Sequence, residues 1–212
     1  MKKAIVFVDA NNWYHNVKWW FKPSDIDIKK VVNLISREKN INIIEIRWYA
    51  SMPSIKDNEL VYKRQRSFLG HLEKQGIKII TRKLQRLSNK ELLKRRQDLL
   101  ELWDLCKICK PIVESEFLDI QDSNQKEKGI DVWVAIDMVK EALQNKLDYC
   151  ILISGDADFV PALDLVKSIG KEVLSAFVPK GYSNELRQKF PYFIIKREDL
   201  SKCLKDYNLI KQ

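Results

Sequence analysis

Five short apolar runs recur along the chain, each largely continuous rather than alternating with polar residues. They are AIVFV (residues 4–8), IIEIRWYA (43–50), IKII (77–80), YCILIS (149–154) and EVLSAFV (172–178). Continuous hydrophobicity over so few residues marks strands buried on both faces, as in a parallel sheet covered by helices. The segments between them carry helical periodicity. In DIDIKKVVNLISREK, Ile28, Val31, Val32 and Ile35 fall on one stripe, and the segment 57–76 ends on Gly76 as a helix C-terminal signal. GIDVWVAIDMVKEALQNK precedes the fourth strand, and FVPALDLVKSIGK opens with Pro161 in its first turn and stops at Gly170.

Alternating strands and helices predict a doubly wound α/β domain with right-handed crossovers, spanning residues 1–200 and followed by a tail at 201–212. One region breaks the rhythm. Residues 88–109 read as one long helix with a capping box at Ser88 and Glu91, followed by a polar stretch, so residues 84–126 form a basic helical insertion on the core sheet.

Composition narrows the class without changing the fold. The 212 residues are 45% hydrophobic and 32% charged, which describes an ordinary globular protein with room for a large core. No stretch approaches the roughly 20 apolar residues of a membrane span. The opening MKKAIVFVD has an apolar run shorter than the roughly 7 to 15 residues of a signal peptide and ends on Asp9, so a cytoplasmic location is expected. A net charge of +9 favours a polyanionic partner, nucleic acid first. Cys106 and Cys109 form a C-x-x-C, but a structural zinc needs four ligands, and the chain offers no second such pair and only His15 and His71. Two thiols packed on a helix is the expected arrangement.

The chemistry gathers where strands end. In an open parallel sheet, ligands collect beyond the carboxyl ends of the strands, near the point where strand order reverses. The first strand delivers Asp9 and then Asn12; the fourth delivers Ser154, Asp156 and Asp158 in SGDADF; Asp131 lies in the first turn of the helix before that strand. Each acid alone reads equally well as a helix cap, and Asp158 before FVPAL suits that role. Together they would repel one another by several kcal/mol in a partly desolvated pocket, which calls for a cation among them. An oxygen-only ligand set selects Mg²⁺ or Mn²⁺. Asp137 is six residues beyond Asp131, about 120° around the helix, and is expected behind the site or in a structural role. Lys128 is a candidate phosphate contact.

These motifs resemble those of the NYN domain, the LabA-type branch of the PIN-like nucleases. FVDANN resembles the family's opening, and KGIDVWVAIDMV followed by SGDADFVPALDLVKSIGKEV resembles its K-G-x-D and S-G-D-x-D-F-x-P signatures, in order from residue 4 to about 195. Residues 84–126 lie outside the pattern. The resemblance implies a PIN-like, three-layer fold with a central, mostly parallel sheet and metal-dependent ribonuclease activity. It also implies Asp9, Asp131, Asp156 and Asp158 as catalytic metal ligands, with Asn12 and Ser154 as polar helpers. The chain departs from the family at Ala10, often glycine, and at Trp13, often a smaller aliphatic residue, which bears on substrate access.

The expected activity is therefore Mg²⁺- or Mn²⁺-dependent hydrolysis of single-stranded or loop RNA, leaving a 5′-phosphate and a 3′-hydroxyl. The segment 82–96, with seven basic residues and one acid, and the nearby Lys63, Arg64 and Arg66 offer a phosphate track. The aromatic cluster Trp13, Tyr14, Trp19, Trp20 and Phe21 stacks on bases where exposed; where buried it packs the first helix or a homodimer interface. An RNA-binding module without catalysis is the alternative. A phosphohydrolase using Asp9 as nucleophile expects an acid two residues later, where Asn11 stands.

Overall fold

The computed structural model describes residues 1–53, 55, 58–83, 89–103, 105–107, 109–118 and 129–205. The chain divides into two compact units, Met1–Lys83 with Gly129–Gln212, and Leu84–Lys128.

The first unit begins with β1 (Lys3–Asp9), α1 (Ala10–Val17), α2 (Ile28–Lys39), β2 (Asn42–Met52), α3 (Glu59–Lys74) and β3 (Lys78–Lys83). The second unit contributes α4 (Asn89–Glu101) and α5 (Cys109–Leu118). The first then resumes with α6 (Ile130–Leu143), β4 (Tyr149–Ile153), α7 (Val160–Ser168), β5 (Glu172–Phe177), α8 (Asn184–Lys189), β6 (Tyr192–Ile194) and α9 (Arg197–Lys202). The six strands form one sheet in the order β3-β2-β1-β4-β5-β6, every pair parallel. Strand order reverses between β1 and β4.

Alternation along β1 divides the core into two layers. Ala4, Val6 and Val8 join the Val31, Val32, Ile35 stripe of α2 and Leu72 of α3, whereas Ile5 and Phe7 face Val134 and Met138 of α6 and Leu163 and Val166 of α7. The stripe of α2 is fully buried. Its start is fixed by the Asp27 carboxylate, which accepts the Lys29 and Lys30 N–H groups at 2.9 and 3.3 Å. Pro161 stands in the first turn of α7, and that helix gives way to Gly170 at φ 86°, a left-handed value that glycine adopts without a Cβ clash.

Two expectations are corrected. Residues 88–109 are not one helix: α4 stops at Glu101, where the Leu102 and Trp103 N–H groups turn back to Leu99 and Leu100 at 3.2 Å each. Helix resumes at Cys109, and Pro111, which lacks an N–H, is accommodated in that first turn. The expected cap residue Ser88 lies outside the described residues. Cys106 precedes α5 and Cys109 opens it; both are exposed, and Cys106 Sγ accepts the Cys109 N–H at 3.3 Å. Residues 201–205 belong to the folded unit: Cys203 is buried, its carbonyl accepts the Asp27 N–H at 2.8 Å, and Leu204 bridges to Ile26.

The second unit, residues 84–128, contains nine basic and nine acidic residues, so it is neutral as a whole and only its start, residues 84–96, is basic. The net charge of +9 is carried by the sheet-bearing unit. Among the described residues, no helix is long and apolar enough to cross a membrane.

Candidate active site

The reversal of strand order places the ends of β1 and β4 side by side at the carboxyl edge of the sheet. Asp9, the last residue of β1, is only 4% exposed. One carboxylate oxygen caps α1, accepting the Asn11 and Asn12 N–H groups at 3.0 and 3.1 Å. The other accepts the Ser154 hydroxyl at 3.0 Å. The capping role and the site role thus fall on different oxygens of one group.

Ser154, just past β4, is buried and holds that edge together. Its Oγ also accepts the Asp156 N–H at 3.2 Å, and its carbonyl accepts the hydroxyl of Ser175, itself buried within β5, at 3.1 Å. Asn12 makes a second link between the strand ends, its Oδ1 accepting the Gly155 N–H at 3.1 Å and the Asn16 side-chain N–H at 3.0 Å. The half-buried Asp156 caps a short 3₁₀ turn by accepting the Asp158 N–H at 3.0 Å. The cap in SGDADF is therefore Asp156; the Asp158 side chain is exposed, and no side chain caps α7.

Asp131 reaches the same edge by topology. Helix α6 leads into β4 through a short turn and runs back along the sheet, so its first turn lies at the carboxyl ends of the strands, where the positive helix end favours an anion. Asp131 is half-buried there, and the Gly129 carbonyl before it accepts a hydrogen bond from the Arg82 guanidinium at 3.3 Å. Arg82 begins the phosphate-track segment in sequence, yet in space it ties β3 to the start of α6. Lys128 lies outside the described residues.

Asp137 turns away from the strand ends. It accepts the Tyr49 hydroxyl at 2.8 Å and lies 3.6 Å from Arg47, on the α6 face toward β2. Arg47 is buried between Glu45 (2.6 Å), Glu141 (3.0 Å) and the Phe7 ring (5.6 Å to the centroid). Burial disfavours the guanidinium charge, but its carboxylate partners more than offset this and keep it firmly protonated. Burial, reinforced by Asp137, pushes the Tyr49 hydroxyl well above its ordinary range, so it acts as a donor. Tyr49 is the register partner of Asp9, so this network braces the strand beside the site.

Sequence patterns missed Asn16, Ser175 and Gly181, and gave no reason for Gly155 within SGDADF. Added Cβ atoms show how closely these backbones meet: one on Gly155 would lie 2.0 Å from the Gly181 carbonyl oxygen, and one on Gly181 2.2 Å from Asn16 Oδ1. A lone serine in the apolar run EVLSAFV and the i, i+4 spacing of Asn12 and Asn16 were the available signals. Trp13, the doubtful neighbour, is buried in the core, while Tyr14 and Trp19 are exposed.

The donor set offered at this edge consists of carboxylate, amide and hydroxyl oxygens, the chemistry of a hard divalent cation. Among the described residues, no three acids, histidines or cysteines are grouped closely enough to hold an ion unaided. Mg²⁺ commonly binds through one or two carboxylates, with waters and substrate phosphates filling the remaining positions, so the donor set fits that ion.

Residues 3–201 match the NYN domain, and the chain belongs to that family, an α/β PIN-like fold whose members are typically nucleases. It is also similar to the low amplitude and bright protein LabA of Synechococcus elongatus, 22% identical over 197 residues that cover 91% of this chain and 82% of that protein.

Proposed function

We propose that this protein is an endoribonuclease dependent on Mg²⁺ or Mn²⁺ that hydrolyses phosphodiester bonds in single-stranded or loop RNA. The observation that carries the reading is the buried Asp9 carboxylate joined through Ser154 to Asp156 across the β1–β4 switch point. Asp9 and Asp156 would hold the ion, with waters and substrate phosphate filling its remaining positions and Asp131 and Asp158 reaching it through water. When bound, such an ion supplies charge neutralisation at the phosphate and activation of water.

The chain's own residues prepare the site. Ser154 fixes Asp9 by donating to one oxygen while the α1 backbone holds the other, so the carboxylate cannot rotate freely. Asn12 clamps Gly155 and sets the distance between the two strand ends. Such preorganisation lowers the cost of placing charge against the scissile phosphate.

The test is incubation of purified protein with labelled RNA in Mn²⁺, Mg²⁺ or EDTA, beside Asp156→Asn. Cleavage is expected with either ion and is lost in EDTA and in the variant. Cleavage that survives the substitution would mark a contaminant and overturn the assignment, and RNA binding without cleavage would make the protein a binding module.

A further inference from the structure

At the same sheet edge, one loop carries two groups in which a cation lies over an aromatic ring. The loop, residues 178–183, joins β5 to α8. Lys180 Nζ is 4.8 Å from the Trp19 ring centroid. The Arg187 guanidinium is 5.6 Å from Tyr182 and 5.5 Å from Tyr192, and it donates to the Tyr182 hydroxyl at 3.1 Å. Buried Phe177 supports both tyrosines, stacking on them at 4.9 and 5.8 Å. The outer surface is open at Trp19, 64% exposed, and at Tyr192, 37%; Tyr182 is half-buried against Phe177, and both cations are exposed.

This loop is pinned to the acid site. The Ser183 N–H donates to the Gly155 carbonyl at 2.8 Å, and Gly181 packs against Asn16 so closely that no side chain fits between them. Asp9, Asn12, Asn16 and Trp19 follow one another at helical spacing along α1 and its exit. An eight-residue helix such as α1 spans about 12 Å, the rise of three to four stacked nucleotides. Exposed rings paired with fixed cations suit a ligand whose negative charges alternate with flat π-faces. A duplex hides those faces, and an acidic peptide has none.

We infer that Trp19 with Lys180, and Tyr182 and Tyr192 with Arg187, form a shelf on which bases of single-stranded RNA stack beside the acid site, the cations meeting its phosphates. The shelf deepens the ribonuclease reading and rests on it for the choice of RNA. It sets the direction in which substrate leaves the cleavage point, along α1 toward Trp19.

The experiment measures binding by fluorescence anisotropy in EDTA, where cleavage is suppressed, with labelled oligouridylate and an abasic oligomer of equal length. Trp19→Ala should weaken oligouridylate binding by roughly five- to a hundredfold, the scale of one lost stacking contact, and leave abasic binding unchanged. Trp19→Phe should recover most of the loss. Lys180→Ala should weaken both oligomers alike and flatten the log–log salt dependence by about 0.7, as for one phosphate contact on a single strand. Equal binding by wild type, Trp19→Ala and Lys180→Ala would overturn the shelf while leaving the ribonuclease reading intact. A Trp19→Ala loss equal for both oligomers would also overturn it, because a packing defect does not distinguish bases. Failure of the wild type to bind oligouridylate would overturn the shelf, and the cleavage assay with Mn²⁺ decides the ribonuclease reading separately. Shelf effects in a protein that cleaves nothing with Mn²⁺ would support the shelf and sink the catalytic reading alone.

Discussion

Asp9 decides how separable folding and chemistry are in this protein. Its two oxygens do different work, one capping α1 and one receiving Ser154. Asparagine caps helices about as well as aspartate, and the Ser154 hydroxyl can turn to accept from an amide, so Asp9→Asn should melt within a few degrees of wild type. It removes the negative charge nearest the strand end. RNA cleavage should fall by at least about 100-fold, the scale seen when one preorganised polar contact is lost from a reacting centre. A parallel fall in melting temperature and activity would make Asp9 a cap only. Asp9, Asn12, Ser154 and Asp156 were legible because each follows a buried apolar run, where a polar residue needs a reason. Asn16 and Gly181 were not, because their contact joins residues 165 positions apart and leaves no local trace.

At the scale of elements, α6 carries the clearest division of labour. Its first turn presents Asp131 at the strand ends, whereas further along Asp137 and Glu141 face Arg47 and Tyr49 of β2. Burial raises the Glu141 carboxyl, but its bonds to Arg47 and the Lys146 ammonium outweigh that, and the net shift is downward. A carboxyl with a lowered folded value contributes stability above its unfolded value of about 4.3 and loses it as pH falls through the folded value. Glu141→Gln should therefore cost about 1–3 kcal/mol at neutral pH, as for a hydrogen bond to a charged group, and less in acid. Urea denaturation at about pH 7 and pH 3.5 checks this through the difference between the two proteins, which should shrink at the lower pH. Five strands were legible because strands buried over most of their length are largely apolar, even where Glu45, Arg47 or Ser175 interrupts the run. Three-residue β6 was not, being too short for any periodicity, and the break after Glu101 escaped because the leucine-rich stretch LWDL carries a helix-favouring composition straight across it.

For the whole molecule, charge and connectivity make the sheet-bearing unit the candidate surface for the proposed RNA contact. The basic start of the segment 84–128 suggested a phosphate track, but its nine basic residues are matched by nine acids, leaving the full +9 on the remainder of the chain. That remainder closes on itself where the segment leaves and returns, since Arg82 at the end of β3 reaches the Gly129 carbonyl at the start of α6. Adjacent ends are the condition under which an inserted unit can be removed without straining its host. Replacing residues 84–128 with a short glycine-serine linker should leave a single cooperative transition within about 5 °C of the full chain, a change of about 2 kcal/mol. Oligouridylate affinity at fixed salt should fall by less than about tenfold, or 1.4 kcal/mol, because the net charge that attracts the strand and the cation–aromatic shelf are both retained. Calorimetry and anisotropy on the shortened chain measure the two quantities separately. A folded core that binds far more weakly would move the electrostatic contact to the basic start of the segment, and with it the entry path of the RNA.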